Sequence, residues 1–277
     1  MIFVLVLVVL ALGAAAFVKH RLNDDRVPVA ASLLAPDETP SLMAIWAHPD
    51  DEITAAGTLA MAGLFGHANV TLVYLTAGEG ARDSGLSREE LARVRRAEAQ
   101  AAGSVLGARH TEVLDFPDGG LDDGWRGRAI GEIGALIDRH RPTCLISFDE
   151  TIGYYGHPDH VCVGRWVRDI FEARRGDPEF APRRLYQATL PANLIALARR
   201  HVSAFRDRYP EDPAQGLPGP TVAVRIGRAA GVKRRLLDVH ESQARVIRDV
   251  QPYFDRVPAA VYYHFFDREY FALAASR

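Results

Sequence analysis

The chain has 277 residues, 48% of them hydrophobic and 25% charged, with a formal net charge of -2. That length and apolar content support one large domain with a substantial core. The balanced charge, with no basic excess, argues against a nucleic-acid partner. The only cysteines, Cys144 and Cys162, both lie in apolar runs and read as buried free thiols, not as a disulfide.

In chain order, Met1 to Val18 carries no charge. As a helix it would span roughly 27 Å, at about 1.5 Å per residue, close to the thickness of a bilayer core. Lys19, His20 and Arg21 follow directly, and cations on that side favour a cytoplasmic location for what comes next. Residues 1–18 are therefore expected as a single-pass membrane anchor. The alternative is a cleaved signal peptide on a secreted protein. Ala14-Ala15-Ala16 offers a cleavage site, but no basic segment precedes the apolar run. Residues 19–41, with Pro28, Pro36 and Pro40, read as a linker, and 42–277 as the globular domain.

Leu42 to Trp46 reads as a buried strand, followed at once by Ala47-His48-Pro49-Asp50-Asp51-Glu52 and a small-residue helix over 53–65. A histidine and three acids at a strand-to-helix junction sit where open α/β sheets bind ligands. Buried there, they are costly unless paired or bound to a cation, and His with Asp suits a metal of the zinc class. The plain alternative is a capped helix start.

Asn69 to Thr76 is a second strand, with Ala77-Gly78-Glu79-Gly80 as the loop at its carboxyl end. Ser87-Arg88-Glu89-Glu90 is a capping box opening a helix that Gly107 ends after Leu106. Arg93, Arg95 and Arg96 on that helix are candidates to reach a pocket. Thr111 to Leu114 is a short strand, Asp118 in the Pro-Asp-Gly turn after it is a candidate substrate contact, and Ala129 to His140 is helical.

Thr143 to Phe148 is another buried strand, and beyond it lies His157-Pro158-Asp159-His160 at the start of an apolar helix through Phe171. His157 and His160, three apart, face the same side. If the two junctions are neighbours in the sheet, two histidines and an acid converge as an open zinc site with room for water. The alternation of strands and helices predicts a Rossmann-like, mostly parallel α/β sheet with helices on both faces, preceded by the apolar N-terminal helix.

Strands are expected over 185–190 and 221–226, helices over 191–205 and 232–249, and a loop over 207–220. The aromatic run Tyr262 to Phe266 reads as a late strand.

The Ala47–Glu52 motif paired with His157–His160 resembles the PIG-L/LmbE family of zinc-dependent N-deacetylases. The resemblance covers about 42–170, continues in Arg95-Arg96-Ala97-Glu98, and is echoed by His240-Glu241-Ser242-Gln243. It implies one zinc (or another divalent metal) per chain on His48, Asp51 and His160, with Asp50 as general base. A water held by the metal would be the nucleophile, and a protonated His157, held by Asp159, would stabilise the oxyanion. Tyr155 stands where some relatives place a Tyr that assists; its neighbour Tyr154 is the competing choice. Glu52 would order the loop. The implied activity is hydrolysis of the acetamide of an N-acetylglucosamine-type sugar or glycoconjugate, with a lipid-linked substrate hinted at by the anchor. The alternatives are a metallohydrolase of a different bond and a silent, membrane-tethered glycan-binding protein.

Overall fold

A computed structural model describes residues 2–36, 39–81 and 85–277, with the side chains of 2–9 and of Ala11 outside the description. In chain order its elements are α1 (Ile2–Leu22), β1 (Val29–Ala30), β2 (Ser41–Trp46), α2 (Ala56–Ala60), β3 (Asn69–Thr76), α3 (Arg88–Leu106), β4 (His110–Phe116), α4 (Arg126–His140), β5 (Cys144–Ser147), α5 (Gly153–Gly156) and α6 (Pro158–Arg174). The last third adds β6 (Arg184–Thr189), α7 (Ala192–His201), α8 (Ser203–Arg208), β7 (Val222–Arg225), α9 (Ala230–Val239), α10 (Ala244–Val250), α11 (Ala259–Phe265) and β8 (Arg268–Ser276).

The strands form one sheet in the order β1-β7-β8-β6-β5-β2-β3-β4. The stretch from β4 to β6 is parallel throughout, while β8 runs antiparallel to both β6 and β7. β2 lies at the centre of that parallel stretch. The chain moves from it to β3 and β4 on one side, then returns to lay down β5 on the other. That reversal between β2 and β5 is a topological switch point, where a crevice opens beyond the strand ends.

Alternate residues of β2 serve two cores. Leu42, Ala44 and Trp46 pack with α2, α3 and α9–α11; Met43 and Ile45 pack with α4 and α6. Burial on both faces explains why the strand reads as a continuous apolar run. The capping box at Ser87 and Glu90 forms, and Gly107 ends α3 in a left-handed conformation.

Three expectations need correction. The segment 19–41 is not a free linker: its first residues belong to α1, Val27 and Leu33 are buried, and β1 pairs with β7. Residues 37 and 38 lie outside the described residues. The aromatic run from Tyr262 is helical, in α11, because the positions after Pro258 bury Tyr262 and Tyr263 against the helical layer; the strand comes after it, as β8. The single helix expected over 232–249 breaks at His240, between α9 and α10. Among the described residues no helix is long and apolar enough to cross a membrane, so the expected anchor gains no support from them. Most of its side chains lie outside the description.

Candidate metal centre

Both polar motifs lie at the switch point, one after β2 and the other between β5 and α6. Their side chains meet. The Nε2 of His160 lies 3.2 Å from Asp51 Oδ1 and 3.3 Å from His48 Nδ1, and that Nδ1 is 3.5 Å from Asp51 Oδ2. All three residues are buried.

The outward nitrogens of the two imidazoles decide what the inward ones do. His48 Nε2 donates toward Asp118 Oδ1 at 3.0 Å and Asp159 Oδ2 at 3.2 Å, and His160 Nδ1 donates to the Gly153 carbonyl at 3.0 Å. With those N–H groups committed, His48 Nδ1 and His160 Nε2 turn lone pairs toward the Asp51 carboxylate. A metal-binding histidine is oriented in this way, by a carboxylate or carbonyl on its far nitrogen. Two nitrogens and a carboxylate oxygen suit a zinc-class ion with a position left open. A second trio, His48, His157 and Asp159, is also close enough to share an ion. It fits less well, because His157 Nδ1 already accepts the Asp159 backbone N–H at 3.3 Å.

Charge points the same way. Burial works against protonating His48, but Asp118, Asp159 and Asp51 raise its imidazole well above the ordinary value, so the surroundings favour positive charge there. Burial likewise opposes ionising Asp51, yet His160 and His48 hold it well below the usual carboxylate range. Asp118 shows the same balance: burial pushes up, while His48 and the Gly80 amide, 2.6 Å from Oδ2, hold it at about 2.

Asp50 sits beside this cluster in a left-handed conformation, φ 101°, which is strained for a residue with a side chain. Two contacts hold it there, and its partner Arg95 is itself tied down. Its N–H donates to Glu52 Oε2 at 3.0 Å, its carboxylate lies 3.2 Å from the Arg95 guanidinium, and Arg95 also donates to the carbonyls of Pro49 and Gly78. A Cβ on Gly78 would lie 2.3 Å from that guanidinium, and the positive φ of 71° there favours glycine. Burial, partly offset by Arg95, pushes the Asp50 carboxyl up to about 6, in the range of a base working near neutrality.

Glu52, fully buried, joins the Asp50 amide to His240 Nε2. The break before α10 that frees His240 also sets the Ser242 N–H and hydroxyl on Glu98 of α3, both at 2.7 Å. The late motif thus braces the loop from outside. Of the three arginines only Arg95 reaches the centre. Its spacing from Leu91, Ala99 and Ala102 on the buried face of α3 was the available signal. Arg96 turns instead to the carbonyls of Val113 and Leu114, and Arg93 is exposed.

His157 caps α6 and stacks on His160 with ring centroids 4.7 Å apart; His48 is 4.9 Å away. Burial, with His160 and His48 nearby, pushes its imidazole down to about 3. It is therefore neutral near pH 7, and with Nδ1 accepting an N–H its proton is on Nε2. The Asp159 carboxylate makes no hydrogen bond to this ring. Besides His48 it accepts the Gly119 N–H at 2.8 Å and the Leu121 N–H at 3.2 Å, fastening the loop after β4. Tyr155 faces the histidines, its ring 5.2 Å from His160, whereas Tyr154, at φ 75°, turns away against Phe148 and Phe205.

Residues 43–171 match the family described as PIG-L, GlcNAc-PI de-N-acetylase. The 1D-myo-inositol 2-acetamido-2-deoxy-alpha-D-glucopyranoside deacetylase of Nocardiopsis dassonvillei is 31% identical over 222 residues, 66% of this chain and 77% of that protein. The enzyme of the same name from Nakamurella multipartita is 39% identical over 156 residues, 46% of this chain and 53% of that protein, so the match spans about half of its length. Among solved structures, N,N'-diacetylchitobiose deacetylase from Pyrococcus horikoshii superposes with a TM-score of 0.61 at 20% identity, covering 84% of this chain and 83% of that one. The 4-carboxy-2-hydroxymuconate hydratase of Pseudomonas putida does so with a TM-score of 0.59 at 17% identity, covering 86% and 97%. The chain belongs to the PIG-L family.

Proposed function

We propose that the protein is a zinc-dependent N-deacetylase that hydrolyses the acetamide of an N-acetylglucosamine-type sugar or conjugate. The observation that carries this reading is the inward aim of His48 Nδ1, Asp51 and His160 Nε2, with Asp50 beside them. The fold does not choose the reaction, since a deacetylase and a hydratase both share it. The ligand set and the relatives in sequence support amide hydrolysis.

His48, Asp51 and His160 would hold the ion, which when bound polarises the amide carbonyl and lowers the pKa of a water. Asp50 takes a proton from the attacking water, its carboxylate steered by Arg95. His157, neutral, donates its Nε2–H to the oxyanion as it develops. The proton on Asp50 is then at hand for the departing amine. Asp118 and Asp159 keep His48 in its ligating tautomer.

The test is primary-amine release from N-acetylglucosamine conjugates by the full chain, with and without a chelator. Release that stops on chelation and returns with zinc is expected. Release that ignores the chelator sinks the reading.

We infer also that residues 1–18 anchor the globular domain, β1 included, to a membrane, on its cytoplasmic side. The uncharged run Met1 to Val18 supports this. Alkaline extraction of cell membranes should leave the protein in the pellet; recovery in the soluble fraction contradicts the anchor.

A further inference from the structure

His240 takes no part in the chemistry assigned above, yet it is fully buried where α9 breaks off, with Nε2 2.5 Å from Glu52 Oε1. We propose that His240 is a positioning residue for Asp50, acting through Glu52 and assisted by Ser242. The inference rests on the deacetylase reading for what Asp50 does, and on the structure alone for how Asp50 is held.

Three observations support it. First, His240 occupies the core for the sake of one bond. Its Nδ1 is buried and has no hydrogen-bond partner among the described residues, whereas a buried polar atom normally has one. Only Nε2 is engaged, on a carboxylate that is itself fully buried. Apolar side chains of similar volume often fill such a place at no loss of stability, so stability alone gives a weak reason for the pair.

Second, Glu52 passes the hold on to Asp50. While Oε1 meets His240, Oε2 accepts the Asp50 N–H at 3.0 Å. Asp50 has φ 101° and ψ -18°, a conformation that persists in a residue with a side chain only where the surroundings over-determine it. A return to negative φ would re-aim its carboxylate. Without His240, a buried unpaired carboxylate at Glu52 is too costly to keep in place, and the Asp50 amide loses its acceptor.

Third, the same short turn holds the other end of Asp50. The Ser242 N–H and hydroxyl both donate to the Glu98 carboxylate at 2.7 Å. Glu98 lies three residues after Arg95 on the buried side of α3, so the two side chains are neighbours on one face. Arg95 in turn meets the Asp50 carboxylate at 3.2 Å. Residues 240–242 therefore secure Asp50 twice, by its amide through Glu52 and by its carboxylate through α3. Their hydrogen bonds go to Glu52 and Glu98 and not to His48, Asp51 or His160. Their loss should disturb the base and spare the ion.

The experiment uses the full chain in detergent. It measures kcat and KM for amine release from methyl N-acetylglucosaminide and N,N'-diacetylchitobiose, and zinc content on the same samples. Hydrogen exchange in peptides spanning Asp50 is followed separately, on chelated protein, where no turnover is needed. His240→Ala should lower kcat about 10- to 100-fold, the scale of a small misplacement of a catalytic group, with KM and zinc unchanged. Exchange at the Asp50 amide should quicken at least about tenfold, near the worth of a hydrogen bond to a charged group. His240→Gln, whose side-chain amide donates to Glu52 in place of Nε2, should recover most of both. Ser242→Ala, the milder change, carries the test if His240→Ala does not fold. It should lower kcat about fivefold at unchanged KM, in keeping with one hydroxyl bond lost, and an unchanged kcat overturns the proposal. Unchanged exchange or unchanged kcat in His240→Ala overturns it too, as does a kcat that falls only together with zinc content, or a Gln variant no better than Ala. Faster exchange in His240→Ala, with no amine release by wild type, overturns the deacetylase and leaves the hold on Asp50.

Discussion

The two halves of this sheet treat buried polarity in opposite ways. In the parallel half, the switch point between β2 and β5 gathers His48, Asp51, Asp118, Asp159 and His160 so closely that the set makes sense around a cation. In the half closed by antiparallel β8, the buried charges Lys233 and Glu269 neutralise one another, and the space beside them is apolar. One half concentrates charge that calls for a cation, and the other cancels its buried charge within the wall. The contrast predicts that damage to the first removes activity with the fold intact, whereas damage to the second removes stability.

The sharpest break in that contrast is Asp51→Ala. It should remove bound zinc and reduce amine release to background while the circular dichroism spectrum is unchanged; retained zinc would move the ion elsewhere. Asp118→Asn tests the orienting carboxylate. Loss of that support for His48 should weaken zinc affinity by roughly 10- to 100-fold, measured by competition with a chromogenic chelator, and an unaltered affinity contradicts its role. On the other side, Lys233→Met strands Glu269 in the wall and should destabilise the protein by about 3–5 kcal/mol in urea unfolding, with zinc content unaffected.

The same contrast explains what could be read in advance. Polar residues announce themselves: a histidine and three acids after an apolar strand are out of place unless they bind something, so both junctions were visible. Their meeting was only conditional until the strand order put β2 beside β5. Asp118 stood out as a turn residue, but its grip on His48 depends on a loop folding back from β4, which no local pattern encodes. Cavity residues such as Leu197, Val202 and Phe205 resemble any other core residues, because an apolar lining and an apolar core obey the same periodicity. The break at His240 was hidden for a related reason. The flanking residues favour helix, and the contacts made at the break, His240 with Glu52 and Ser242 with Glu98, are tertiary ones. Tyr262 to Phe266 misled because aromatic residues suit a strand and an amphipathic helix alike.

Asp50 tests the account most directly, since it is assigned chemistry and no share in holding the ion. The measurement is amine release by zinc-loaded Asp50→Asn beside wild type, with metal content determined on the same samples. The account predicts unchanged zinc and a rate lower by about 10²- to 10⁴-fold. A variant that keeps both its zinc and its rate would contradict it.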